Sequence, residues 1–399
     1  MHNFLNGVKI IELGHILLGP YAGQSLGDLG AEIIKVEALE GDFYRSVGTK
    51  RRSSMSAQWL NCNRNKRSIS LNLKTDAGRE VMTRLLRDAD VLIHNMRPKA
   101  VAKLGFDYPS VRELNPSLVY CFSSGFGQDG PYRDFPAFDD IIQARSGLAD
   151  LNGIHEGAPR LTPIPITDLA TSQSLTQAVL AGLYRKAQTG QGCLVEVPMF
   201  ETFVGLVMNQ HLDGHAFVPP VSDIGYPRML SRFRKPCATK DGFIVHGVYN
   251  IHHWRAFLTE VGRQDVVNGP LLSDPDSLGN NIATLYQLIA EEILPSKSTD
   301  EWLAIFQRLD IPCAPVTEAS SIEDDEHIKA VKLFRDYDHP TEGRLREVRS
   351  AMQVTDVDQK DDRPPPRIGE DSAEILLQLG YSEEAVRGLI SDGFVACPG

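Results

Sequence analysis

The sequence predicts an α/β fold: a large doubly wound, Rossmann-like domain with a smaller α+β domain inserted into it. Three observations carry this expectation. Apolar runs of strand length alternate with amphipathic helical stretches through about the first 125 residues, as a parallel sheet covered by helices requires. A long helical stretch and a further strand-like run extend the pattern. Near Gly214 the texture changes, and a different mixture of strand and helix signals fills roughly the next hundred residues.

Residues 8–13 read as the first strand, and Gly14, Gly19 and Pro20 punctuate its end. Ala22, Leu26 and Leu29 form a helical stripe that stops at Gly30, and 33–36 resumes as a buried strand. This β-α-β order implies parallel pairing and a ligand crevice at the carboxyl ends of the strands. Residues 67–73 alternate like a strand, 75–78 start a helix with Val81, Met82, Leu85 and Leu86 on its apolar face, and 90–93 and 118–122 are further strands. A helix at 168–186 carries Leu175, Val179 and Leu183 on one face, stops at Thr189-Gly190-Gln191-Gly192 and leads into a strand at 193–197. The segment HAFVPPVSDIGYP reads as a connection out of the large domain. Beyond it, 243–248 reads as a strand, and 254–261 and 282–309 hold helical segments. The charged, proline-rich stretch DVDQKDDRPPPRIG reads as a further boundary before two last helices at 372–379 and 383–390. The expected domains are 1–212 with 330–399 for the large one and 225–325 for the small one, with linkers at 213–224 and 326–329.

A length of 399 residues exceeds one ordinary core and agrees with two domains. The formal net charge of −11 argues against a nucleic-acid partner and for a soluble, cytoplasmic protein. No apolar run reaches membrane-spanning length, and MHNFLNG lacks the basic start and apolar segment of a secretory leader, so no membrane association is expected. The six cysteines, Cys62, Cys121, Cys193, Cys237, Cys313 and Cys397, are too scattered for a zinc site or redox pair and read as reduced, structural residues. One stretch departs from the acidic character: 45–67 holds seven basic residues, Arg45, Lys50, Arg51, Arg52, Arg64, Lys66 and Arg67, and no acidic one. It reads as an anion site or as a solvated basic loop, and spacing leaves both open.

Gly125, Gly127 and Gly130 in GFGQDG satisfy the dinucleotide fingerprint, but that motif must open a helix whose amino end receives the pyrophosphate. Pro131 and Pro136 follow at once, so the segment reads as a glycine-rich loop. His211 and His215 have helical metal-pair spacing, yet Leu212 stands where a metalloprotease needs Glu, and His246, His252 and His253 have no carboxylate or cysteine at ligand spacing. No metal is expected. Nor is there a serine-hydrolase elbow or a Walker-type loop. Asp168, in PIPITDLATSQSLTQAVLAGLY, stands at the amino end of the long helix, where the dipole and free N–H groups favour a carboxylate. It reads as a helix cap, or as a carboxylate nucleophile toward an activated acyl group.

The opening wording, a Gly-Pro turn followed by DLGAEIIKVE, a Gly-Asp pair and Arg45, resembles the class III CoA-transferases, the family that also holds the α-methylacyl-CoA racemases. NRNKRSISLNLKTDAGREVM, DVLIHNMRPKAVAKLGFDY, CFSSGFGQDGPYRDFPAFDDIIQARSGL, PITDLATSQSLTQAVLAGLYRKAQTGQG, TKDGFIV and IPCAPV follow in family order and extend the resemblance over almost the whole chain.

The resemblance implies that Asp168 is the nucleophile of an enzyme that moves CoA from an acyl-CoA donor, expected to be succinyl-CoA, to a small carboxylic acid through aspartyl anhydride and aspartyl-CoA thioester intermediates. It further implies that Leu71, Lys74, Asn95, Ala100, Lys103 and Phe138 line the CoA site, with Lys74 and Lys103 able to pair with phosphate. CoA and acyl-CoA then enter as substrates, with no tightly bound cofactor, and the chain forms an interlocked homodimer. Two departures bear on the substrate. Leu17 replaces the glutamine of the formyl-CoA:oxalate enzymes, and their tetraglycine loop is missing. Phe138 replaces the histidine that the racemase branch uses in α-proton exchange, which needs an acid and a base on opposite faces of the carbon. Racemase-type exchange and a non-catalytic CoA-binding protein are the alternative readings.

Overall fold

A computed structural model describes residues 1–52 and 55–398. Six parallel strands, β1 (Lys9–Leu13), β2 (Glu32–Glu37), β3 (Lys66–Leu71), β4 (Val91–His94), β5 (Val119–Phe122) and β6 (Cys193–Glu196), form most of one sheet. Its order is Val395–Ala396, β3, β2, β1, β4, β5, β6, with the C-terminal strand antiparallel to β3. Parallel strands need crossovers, and these are α1 (Leu18–Asp28), α2 (Asp76–Arg87), α3 (Pro98–Leu104), α4 (Asp139–Arg145) and α5 (Ile166–Thr189) with the shorter turns between them.

Side chains alternate across a strand, so Ile11, Ile34, Ile69 and Leu92 pack with Val81, Leu85 and Leu86 of α2 and with Ile375 and Leu376 near the C-terminus. The other face meets α1 and α5, which lie against each other. Gly182 lets α5 approach the sheet: a Cβ there would lie 2.3 Å from Cγ1 of the fully buried Val119. Gly182→Ala is therefore expected to cost about 1–3 kcal/mol despite its helix propensity, and a urea melt in which the variant equals the parent would sink this. Gly190, at φ +70°, ends α5 in the left-handed conformation that glycine adopts without strain.

The chain divides into two compact units, the first comprising Met1–Ala149, Leu161–Leu206 and Lys332–Gly399 and the second Asp150–Arg160 and Val207–Val331. The proline-rich stretch read as a boundary lies within the first unit. It is held there by hydrogen bonds: Asn65 N–H donates to the Arg363 carbonyl at 2.9 Å, Arg363 N–H to Asn65 Oδ1 at 2.8 Å, and Arg45 to the Pro366 carbonyl at 3.0 Å. The sequence reading also missed an antiparallel hairpin, Phe334–His339 with Gly343–Val348. The second unit has a three-stranded antiparallel sheet of β7 (Cys237–Ala238), β8 (Phe243–His246) and β9 (Cys313–Pro315). Its helices Ile251–Glu260 and Thr299–Arg308 bury Trp254, Phe257, Trp302 and Phe306 in one core, and a Ser298/Glu301 capping box starts the second of them. No described helix is long and apolar enough to cross a membrane.

Candidate active site

Strand order reverses between β1 and β4, and an open parallel sheet offers a crevice at the carboxyl ends of such strands. One side chain ties the two strand ends together. Asn95 accepts the His15 N–H at 2.7 Å and donates its Nδ2 to the His15 carbonyl at 2.9 Å. The next residue, Ile16, adopts φ +65°, strained for a β-branched side chain, and its N–H donates to the Asp42 carboxylate at 3.2 Å. Burial and then the Lys35 charge lower the His15 pKa, so the ring is neutral at pH 7.

A buried ionic cluster underlies this turn. Glu12 receives Lys35 at 2.9 Å and Lys66 at 2.8 Å. Lys35 also reaches the Gly14 carbonyl at 2.7 Å and Asp42 at 3.2 Å, and Lys66 reaches the Pro20 carbonyl at 2.7 Å. Burial opposes the Lys35 charge, but Glu12, Asp42 and Glu37 outweigh it and raise the pKa; at Lys66 burial prevails and the pKa falls. The cluster therefore anchors both ends of the segment between β1 and α1.

Asp168 lies in the first turn of α5, whose own N-cap residue, Pro165, has no side chain able to accept a hydrogen bond. Asp139, the first residue of α4, fills that role from outside the helix. One of its carboxylate oxygens accepts the Thr167 N–H at 2.7 Å, the Thr167 hydroxyl at 2.8 Å and the Asp168 N–H at 3.0 Å, while the other accepts Gln143 Nε2. Two free donors of the helix end are thereby satisfied, and Asp168 needs no capping role of its own. Its half-buried carboxyl is pushed up to about 7, first by desolvation and then by the charges of Asp139 and Asp140. Tyr44 is close enough to feel Asp168. Burial, then the charges of Cys62 and Asp168, raise its phenol to about 12, leaving a neutral O–H near the carboxylate.

A carboxylate that ionises near neutrality, is poorly solvated and is held on a rigid helix end is suited to attack an electrophilic carbonyl. Its activity should then rise with pH through about 7. Asp140→Asn removes a repelling charge from an exposed side chain, so the acid limb of the rate profile is expected to move down by on the order of half a unit at low salt, and less at high salt. An unmoved limb would show that Asp140 does not act on Asp168.

The other residues singled out from the sequence also lie in the first unit, at or after the carboxyl ends of β3 and β4 except for Phe138, which follows β5. Leu71 ends β3, but its side chain is only 1 % exposed and belongs to the core, so only its main chain could meet a ligand. Lys74 follows in the next turn and Lys103 lies on α3; both are exposed, and neither has an ion-pair partner among the described residues. Ala100 is half-buried on α3, and Phe138, the N-cap of α4, is 66 % exposed immediately before Asp139. The side chain of Asn95 is spent on His15, so Asn95 shapes the turn.

The basic run is largely neither of the two things its spacing allowed. Arg45 is buried against Glu37 at 2.7 Å, with its guanidinium 3.6 Å from the Trp59 ring centre. Arg64 pairs with Asp28 at 2.6 Å, Lys66 with Glu12, and Arg67 with Glu32 at 2.7 Å. Except for Glu37, eight residues before Arg45, the neutralising carboxylates are distant in sequence, so no local window reveals them. The glycine-rich loop is likewise committed internally: Gly127 N–H donates to Glu201 at 2.9 Å and Gln128 N–H to Glu196 at 3.0 Å. Sequence reasoning missed Asp139, Thr167 and Tyr44. The adjacent acids of FDD, at the start of a helix, were the available signal for the first. Among the described residues no group of three or more His, Cys, Asp or Glu side chains is placed to hold a metal ion.

Residues 5–372 match the description CoA-transferase family III. The chain is similar to formyl-CoA:oxalate CoA-transferase of Streptomyces avermitilis, at 32 % identity over 99 % of this chain and 100 % of that protein. It is also similar to human succinyl-CoA:glutarate CoA-transferase, at 28 % identity over 98 % of this chain and 90 % of that one. Among solved structures it resembles a CAIB/BAIF family protein from Brucella suis, with a TM-score of 0.78 and 29 % identity over 95 % of this chain and 100 % of that one.

Proposed function

The chain belongs to CoA-transferase family III and is a class III CoA-transferase, and from that premise we propose that it moves CoA from an acyl-CoA donor, succinyl-CoA, to a small free carboxylic acid with Asp168 as nucleophile. The observation that carries this is the Asp168 carboxyl itself, held near a pKa of about 7 on a helix end that a different aspartate caps. The names of the relatives support the substrate class, because they pair a CoA thioester with a free dicarboxylate. Lys74 and Lys103, exposed and unpaired among the described residues, are proposed to meet CoA phosphates, with Leu71, Asn95, Ala100 and Phe138 forming walls of that site.

In the proposed sequence an Asp168 oxygen adds to the thioester carbonyl, the C–S bond breaks, and CoA leaves as thiolate. The thiolate then attacks the aspartyl carbonyl of the mixed anhydride, releasing the donor carboxylate and leaving aspartyl-CoA. The acceptor carboxylate attacks that thioester to give a second anhydride and thiolate. Attack of the thiolate on the acceptor carbonyl yields the new acyl-CoA and restores Asp168. Every intermediate is an activated acyl group, and in two of the steps its attacker is a weakly nucleophilic carboxylate, so water must be kept out. We also propose a homodimer, supported by apolar side chains left exposed on α5 and β6, with Tyr184 at 70 % and Leu194 at 45 %. Light scattering should then give twice the mass of one chain.

The test is a panel of mono- and dicarboxylates offered with succinyl-CoA or acetyl-CoA. New acyl-CoA formed in step with donor acid is the expected result. Deuterium uptake at the α-carbon of an acyl-CoA without any acceptor would overturn transfer in favour of proton exchange.

A further inference from the structure

The second unit holds a cavity of about 210 Å³ whose lining includes Arg228, Arg234 and Lys235 beside Phe233, Val245, His246 and Tyr286, and which none of the chemistry above uses. Arg228 is held firmly at its wall. Its Nε donates to the Tyr286 hydroxyl at 2.9 Å, and its guanidinium carbon lies 4.4 Å from the Tyr249 ring centre. Among the described residues no carboxylate pairs with Arg228, Arg232, Arg234 or Lys235, although the same unit pairs Arg263 with Asp265 and Glu292. Four cations within eight positions are thus left without an anion.

His246, at the end of β8, stacks on Phe306 with ring centres 6.0 Å apart, and its buried Nδ1 has no hydrogen-bond partner within the chain. An unmet buried nitrogen is costly, and native interiors rarely keep one without a purpose. Burial, and secondarily the Arg228 charge, push the His246 pKa down to about 4, so the ring is neutral at pH 7 and the positive charge of the cavity resides on Arg228, Arg234 and Lys235.

We propose that this cavity binds a short-chain carboxylic acid as its carboxylate, with the oxygens on Arg228 and His246 and the carbon skeleton against Phe233, Val245 and Tyr286. A guanidinium is matched in geometry to a carboxylate. Inorganic phosphate would satisfy the charge but leave the apolar wall against oxygen, and the volume is below that of sites for larger organic ligands, which excludes a CoA-sized molecule. The proposal stands apart from the transfer reading, because the site is built without Asp168 and its test uses no CoA compound.

Glutarate and, separately, inorganic phosphate are titrated into the full chain by calorimetry, with the ring signals of His246 followed by NMR. The expected result is a glutarate-dependent shift of the His246 signals, binding at least tenfold weaker in Arg228→Met, partly retained in Arg228→Lys, and unchanged at this site in Asp168→Ala. The His246 readout in the parent protein keeps the test decisive if Arg228→Met fails to fold. Glutarate binding that leaves the His246 signals unmoved, or phosphate binding as tightly as glutarate, overturns the proposal.

Discussion

Asp168→Ala is expected to lower CoA transfer by at least about a thousandfold, because in the proposed mechanism Asp168 holds CoA as a thioester between donor and acceptor. Incubation with acyl-CoA followed by mild hydroxylamine should place a hydroxamate on one aspartate of the parent chain, read by mass spectrometry, and on none in the variant. Full activity in Asp168→Ala would sink the mechanism. The stability of the same site should move the opposite way. The folded-state pKa of Asp168, about 7, lies above the ordinary aspartate value of 3.8, so the folded chain binds more protons in that window and loses stability as pH rises from about 4 to 7. Asp168→Asn removes the penalty. It is expected to stabilise the protein by on the order of 2 kcal/mol at pH 8 and by little at pH 4, after allowance for partial solvent screening. A higher melting temperature in an inactive variant would separate loss of chemistry from loss of fold.

The second large effect is expected in the cluster under the first turn. Lys35→Met takes from Asp42 its buried cation and from Glu12 one of two, and Glu12→Gln takes from Lys66 its buried carboxylate while Lys35 keeps Asp42. Each single change should cost about 3–5 kcal/mol in a urea melt, since an uncompensated buried charge is worse than an apolar pair. Glu12→Met combined with Lys66→Met should cost less than its two single changes together. Strict additivity would show that the ion pair is not coupled. Gly23 belongs to the same geometry: a Cβ there would lie 2.0 Å from Glu12 Oε2, so even alanine displaces the carboxylate. Transfer activity should fall further than stability accounts for, because Lys35 also holds the Gly14 carbonyl and Asp42, which fix the strained Ile16 turn.

Much of this was open to a reader of the sequence. Most strands of the large sheet were visible as apolar runs because a sheet covered on both faces needs them, β3 was visible by its alternation instead, and the β1-α1-β2 unit followed from glycine and proline punctuation. The helix bearing Asp168 was legible from its stripe and its Gly190 stop, although it runs from Ile166 to Thr189 rather than 168–186. The hairpin Phe334–His339 with Gly343–Val348 was not. Its strands, FRDYDH and GRLREV, carry charged residues on both faces and lack the alternation that marks a half-buried strand.

The sequence by itself determined the alternation of elements, the family wording, and Asp168 as the reactive candidate, because periodicity and motif order are properties of neighbouring residues. Only the tertiary structure decided what those residues experience. It showed that Asp139 rather than Asp168 caps the long helix, that burial and then Asp139 and Asp140 push the Asp168 carboxyl up to about 7, and that the basic run 45–67 largely closes internal ion pairs. The physical reason is the same in each case. Electrostatic and hydrogen-bond energies depend on distance through space and on burial, and the partners concerned, Asp139 with Asp168 or Glu12 with Lys66, are brought together only when the chain is wound.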